Sequence, residues 1–129
     1  MNQITVGNGN DTIYAGNWPK GSGLEDIINL GNGTDTVFMG AGETINLGGG
    51  QDTLVFGVKP TPGYDQVNNF SSAHDVIEFN KALFANYAAV LGATHQVGHD
   101  TQIVLDVSDI ITLTNVQASS LHASNFKFV

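Results

Sequence analysis

Residues 31–57, GNGTDTVFMGAGETINLGGGQDTLVFG, repeat one phrase nearly three times: glycines, then an acid, then a short apolar run. With each acid as an anchor, the count extends outward in both directions. The residue two places downstream is aliphatic at all seven anchors: Asp11 with Ile13, Asp26 with Ile28, Asp35 with Val37, Glu43 with Ile45, Asp52 with Leu54, Asp65 with Val67 and Asp75 with Ile77. Two places further on stand Ala15, Leu30, Met39, Leu47, Phe56, Asn69 and Phe79, apolar in every case but Asn69. This alternation is the period of a short strand with one buried face. Upstream, Gly9, Gly33, Gly50 and Gly63 lie two residues before their acids, and Gly42 sits immediately before Glu43.

The repeating unit is about nine residues, a length that marks stacked repeat architectures. Two intervals are longer because NWPKGSGLE (17–25) and VKPTPGY (58–64) are inserted, and both carry proline, as loops do. A turn plus a short strand cannot bury its apolar residues alone, so the units must stack. Two units complete one coil, with turns alternating between the two sides of the stack. The acids then fall into two columns, Asp11, Asp35, Asp52 and Asp75 on one side and Asp26, Glu43 and Asp65 on the other.

Stacked strands lie about 4.8 Å apart, a separation at which carboxylates in one column repel. A hard dication relieves that repulsion, and calcium accepts six to eight oxygens from carboxylates and backbone carbonyls. The glycines are then expected to supply turns with φ > 0 that aim carbonyls inward.

VGNGNDTIY (6–14), LGNGTDTVF (30–38) and LGGGQDTLV (47–55) resemble the G-G-x-G-x-D-x-U-x nonapeptide of repeats-in-toxin (RTX) proteins. The resemblance implies a parallel β-roll in which each calcium ion is shared by the aspartates and turn carbonyls of two neighbouring turns on the same side. Carried over by position, the ligating acids are Asp11, Asp35 and Asp52, together with Asp26 and Asp65. The turn glycines are Gly7, Gly9, Gly31, Gly33, Gly48 and Gly50. The sequence departs from the pattern where Val6, Leu30 and Leu47 replace the first glycine, where Leu24 and Ala73 stand two residues before their acids, and in the shortened turn at Glu43. The resemblance also implies a secreted bacterial protein exported by a type I system.

Composition bounds the partners. The chain has 129 residues, 16 glycines, no cysteine, and 12 acids against 4 lysines, for a net charge of −8. That charge argues against nucleic acid and for cations. Without cysteine there is no disulfide framework and no thiolate metal site. No apolar run reaches the roughly 18 residues of a membrane span. The N-terminus, MNQITVGNG, has neither the basic nor the apolar region of a signal peptide and opens in a strand, so an upstream domain of a longer parent protein is expected.

After Phe79 the glycine–aspartate pattern stops. Apolar spacing over 82–93 predicts an amphipathic helix capped by Asn80, with Gly92 near its end. Residues 101–106 and 110–114 read as a hairpin, and 118–129 as a turn and a last short strand. The expected architecture is mainly all-β: a calcium-binding roll over 1–79 and a C-terminal cap over 80–129 that also holds the expected secretion-signal region. Asp109 falls outside the repeat. His95 and His99 have the spacing of paired zinc ligands, but HQVGH lacks the glutamate of H-E-x-x-H and contains a glycine. No nucleophile or metal constellation of an enzyme is evident. The expected function is a non-catalytic calcium-binding module that folds after export. The alternative is a polysaccharide-binding module, with Trp18 either a stacking platform for sugar or a cover for the edge of the roll.

Overall fold

A computed structural model describes residues 2–16, 25–57 and 63–129. Eight strands alternate between two parallel sheets: β1 (Gln3–Thr5), β2 (Thr12–Tyr14), β3 (Ile27–Asn29), β4 (Thr36–Phe38), β5 (Thr44–Asn46), β6 (Thr53–Phe56), β7 (Tyr64–Asn68) and β8 (Val76–Phe79). The C-terminal third adds a helix, α1 (Tyr87–Ala93), and strands β9 (Thr94–Val97), β10 (Asp100–Asp106), β11 (Asp109–Leu113) and β12 (Phe126–Phe128). The sheet orders are β1-β3-β5-β7-β11-β10-β9 and β12-β8-β6-β4-β2. Each coil gives one strand to each sheet, and the chain is a parallel β-roll, mainly β, with one α-helix and one long hairpin among the described residues.

Register follows from the D-x-U spacing, because a one-residue slip would turn every apolar side chain outward. Ile13, Val37, Leu54, Ile77 and Phe126 align across one sheet, and Ile4, Ile28, Ile45, Val67 and Leu113 across the other. All but Ile4 are buried, and together they form the core between the sheets. On the outer face, Asn46 donates to Asn29 at 2.7 Å and Asn68 donates to Asn46 at 2.8 Å, a side-chain ladder parallel to the backbone one. On the other sheet Tyr14 stacks on Phe38, ring centres 4.6 Å apart and ring planes nearly parallel.

Both sheets continue past Phe79. Strand β11 pairs in parallel with β7, β12 pairs in parallel with β8, and the β10–β11 hairpin turns the first sheet antiparallel at its end. Stacked and edge-on rings of Phe56, Phe79, Phe84, Phe126 and Tyr87 close the core there.

The helix is shorter than its apolar spacing predicts. Asn80 does cap a turn, its side chain accepting from Ala82 and its carbonyl from Leu83 and Phe84, but that turn ends after one winding. Asn86 starts the helix, its side chain accepting from Ala89 at 3.0 Å. Two asparagine caps six residues apart compete for one amphipathic segment, and a cap offers the backbone a local alternative to continued helix. Among the described residues no helix is long and apolar enough to cross a membrane.

Candidate metal centres in two carboxylate columns

The turns between β1 and β2, β3 and β4, β5 and β6, and β7 and β8 lie on one side of the roll and place Asp11, Asp35, Asp52 and Asp75 in register. A repeating hydrogen bond ties them. The Asp11 N–H donates to Asp35 Oδ1 at 2.8 Å, the Asp35 N–H to Asp52 Oδ1 at 3.1 Å, and the Asp52 N–H to Asp75 Oδ1 at 3.0 Å. Asp35, Asp52 and Asp75 therefore each use one oxygen to hold the coil above. The second oxygen has no such duty. Oδ2 of Asp11, Asp35 and Asp52 is buried without a hydrogen-bond partner.

Asp75 ends this column. Its Oδ2 accepts the Ser71 N–H at 2.8 Å, so both of its oxygens are engaged. Beneath it, the buried Asn125 donates to the carbonyls of Ser72 and Asp75.

On the other side Asp26, Glu43 and Asp65 share register. Asp26 Oδ1 accepts the Asn2 N–H, and Asp65 Oδ1 accepts the N–H groups of Gly42 and Glu43 at 2.9 and 2.8 Å. Both Glu43 oxygens and Asp65 Oδ2 are buried and make no hydrogen bond of good geometry, the Glu43 and Asp65 carboxyls facing each other. The in-register position below Asp65 is Ile111, which ends the column.

Asp109, which falls outside the repeat, lies beside this column but two residues out of its register. It is buried at the start of β11, and its Oδ1 accepts the Gly63 N–H at 2.9 Å. Ile111 stands opposite Asp65 rather than Val67, so the acid-to-aliphatic spacing of the repeat does not put Asp109 in the column.

The columns are electrostatically unfavourable as they stand. Burial pushes the Asp52 carboxyl up to about 6, and the charges of Asp75 and Asp35 add to the rise, opposed by the Asp35 N–H. Burial likewise raises Glu43 to about 7 and Asp65 to about 9, with the charges of Asp26 and Glu43 respectively reinforcing it. Asp75 is raised by burial too. Groups that lose solvent and face like charges favour the neutral form unless a cation arrives.

The turn glycines divide by reason. Gly42, Gly50 and Gly63 have the positive φ expected of such turns, at 81°, 89° and 66°, whereas Gly7, Gly9, Gly31, Gly33 and Gly48 do not. The latter are required, where they are required, by close approach. A Cβ on Gly31 would overlap the Gly7 carbonyl oxygen, and one on Gly33 the Gly9 carbonyl oxygen. Gly48 and Gly50 meet the carbonyls of Gly31 and Gly33 in the same way. Backbone carbonyls thus sit directly over the next glycine, in two files beside the first acid column.

Among the described residues no three acids or histidines converge on one point. Adjacent coils bring carboxylates together in pairs, so an ion there would need backbone carbonyls as well, the mixed oxygen set that calcium accepts. The donors present fit such an ion: they are hard, anionic, buried and lacking partners. His95 lies on β9 and His99 in the turn that follows it, on a hairpin rather than a helix. Trp18 lies outside the described residues.

No family model matches the sequence, and no curated protein matches it. The fold does have a solved counterpart. The extracellular lipase LipA of Serratia marcescens matches with a TM-score of 0.56 at 18% identity, over 98% of this chain and 21% of the lipase. The chain therefore spans about a fifth of that protein's length, and the likeness is one of fold: an RTX-like parallel β-roll.

Proposed function

We propose that this chain is a non-catalytic, calcium-binding module of the RTX type, part of a larger secreted bacterial protein, which folds on binding calcium after export. The observation that carries this reading is the set of buried carboxylate oxygens without partners, stacked in register on Asp11, Asp35 and Asp52 and again on Glu43 and Asp65. A buried polar atom left unpaired costs about 1–3 kcal/mol, more when charged, so six of them need a common explanation. Calcium, when bound, supplies the positive charge that these oxygens lack. The first column would hold it through Asp11, Asp35 and Asp52 with the glycine carbonyls beside them. The second would do so through Asp26, Glu43 and Asp65.

Linkage converts this into a folding switch. Each site adds RT ln(1 + [L]/Kd), about 1.4 kcal/mol at nine times Kd, and extracellular modules bind with Kd of about 0.1–1 mM. Several sites at millimolar calcium are enough to decide folded against unfolded in a domain whose margin is about 5–15 kcal/mol. Where calcium is scarce the acid columns repel and the chain stays loose enough to be exported. The likeness to an extracellular lipase agrees with a secreted setting. The test is a calcium titration followed by circular dichroism, repeated on Asp35→Asn. A cooperative gain of β signal that the substitution weakens supports the reading. A spectrum indifferent to calcium refutes it.

A further inference from the structure

We propose that the β1/β2 end of the roll is a docking surface for one more coil of the same glycine–aspartate chemistry, running parallel to β1 and β2 and carried by polypeptide joined ahead of β1. The two ends of the roll differ. At the far end, β10, β9 and the aromatic cluster cover the core. At the near end, β1 pairs only with β3 and β2 only with β4 among the described strands, so two parallel edges stand unpaired side by side.

Gly7 and Gly9 say what fits there. Gly31, Gly33, Gly48 and Gly50 each lie directly under a carbonyl of the coil above, which excludes a Cβ. Gly7 and Gly9 occupy the same register one coil higher, yet among the described residues nothing lies within 4 Å of a Cβ built on Gly7, and only Asp11 of its own turn lies near one on Gly9. Neither residue has a positive φ. Among the described residues, then, nothing at either position requires glycine. Both would need it if the carbonyls of a preceding coil stacked on them, as theirs stack on Gly31 and Gly33.

Other ladders stop at the same plane. Tyr14 is 75% exposed, one face stacked on Phe38 and the other meeting no ring among the described residues. In the lower coils of the first acid column, Oδ1 of Asp35, Asp52 and Asp75 each takes an N–H from the coil above, and among the described residues Asp11 has no coil above it. A second copy of this chain does not supply a parallel coil, because its own β1/β2 end would meet this one in the opposite sense and its far end is covered. The inference rests on the stacking geometry and not on the calcium reading.

The test joins a duplicate of residues 27–43 directly ahead of Gln3, so that the copied strands fall above β1 and β2. That is the 17-residue step that separates Asp35 from Asp52. Hydrogen exchange and limited proteolysis are read on the extended and unextended proteins, each with and without the paired substitution Gly7→Ala and Gly9→Ala. All four proteins are measured at one fixed calcium concentration and again in chelator, so the glycine contrast is read within each condition. The added coil is expected to resist protease and to raise exchange protection of the β1 and β2 amides at least about tenfold. The alanine pair should abolish both effects; in chelator, where the turns' calcium-facing carbonyls play no part, it should leave the melting temperature of the unextended protein no lower. Three results would overturn the proposal: an added coil that stays cleavable, a protected coil that tolerates both alanines, or an unextended protein that the alanines destabilise in chelator. Self-association of the unextended protein through this edge, seen by sedimentation, would also overturn it in favour of a second copy.

Discussion

Replacing Asp52 by asparagine should act with opposite sign in the absence and presence of calcium. Asp52 is fully buried, its Oδ1 holds the Asp35 N–H, and its Oδ2 has no partner. Strands about 4.8 Å apart place like charges where each pair costs about 3 kcal/mol at an effective dielectric of about 20. Screening at the turns lowers the recoverable part to about 1–2 kcal/mol. An amide keeps the acceptor for Asp35 and removes the charge, so in chelator at pH 7.5 the folded-to-unfolded ratio should rise about 5- to 30-fold. In saturating calcium the same change removes an anionic ligand and should lower the calcium-induced gain by at least about 1.4 kcal/mol, one site at nine times Kd. Asp52→Ala should be harmful in both conditions, because it also strands the buried Asp35 N–H at a cost of about 1–3 kcal/mol. Urea titrations of the three proteins, with calcium and with chelator, read both quantities. If Asp52→Asn weakens the metal-free protein as much as Asp52→Ala does and leaves the calcium gain intact, the assignment of that carboxylate is wrong.

Three further outcomes follow from the same geometry. In chelator, stability should fall as pH rises: Asp52, Glu43 and Asp65 titrate at about 6, 7 and 9 in the fold and near 4 when unfolded, so their protons favour the folded state at low pH and are lost on passing through those values. Calcium should flatten or invert that trend, and melting curves between pH 5 and 9 would show it; a metal-free protein that gains stability with pH would contradict it. Gly33→Ala, which drives a Cβ into the Gly9 carbonyl, should cost about 1–3 kcal/mol by denaturant melt, and a neutral result would mean that the coils are not stacked as described. Leu54→Ala, at a position of zero exposure, should cost about 2–5 kcal/mol, against less than about 0.5 for Val107→Ala at 85% exposure, and equal effects would place the core elsewhere.

The roll was legible because one spacing carries three kinds of information. An acid followed two residues later by an aliphatic sets the strand, its face and its register at once, and Ile13 through Ile77 lie where that rule puts them. Both acid columns were legible for the same reason. What the repeat did not show was how each column ends. Asp75 is closed by Ser71 and Asn125, and the second column by Ile111 and Asp109, through contacts spanning up to about fifty residues that no local pattern encodes. The role of the glycines was legible in part: Gly42, Gly50 and Gly63 have the positive φ expected, but close approach between coils is a property of the stack and not of the turn. The helix start moved from Asn80 to Asn86 because two caps of equal chemistry compete, and tertiary packing decides between them.

The most direct test is the far-ultraviolet spectrum and melting curve of the unmodified chain at neutral pH, recorded in millimolar calcium and again after exhaustive chelation. A β spectrum and a melting temperature that both fall sharply on chelation and are restored by adding calcium back are the expected result. A chelated sample that keeps its spectrum and its melting temperature would show that the carboxylate columns hold together without a metal.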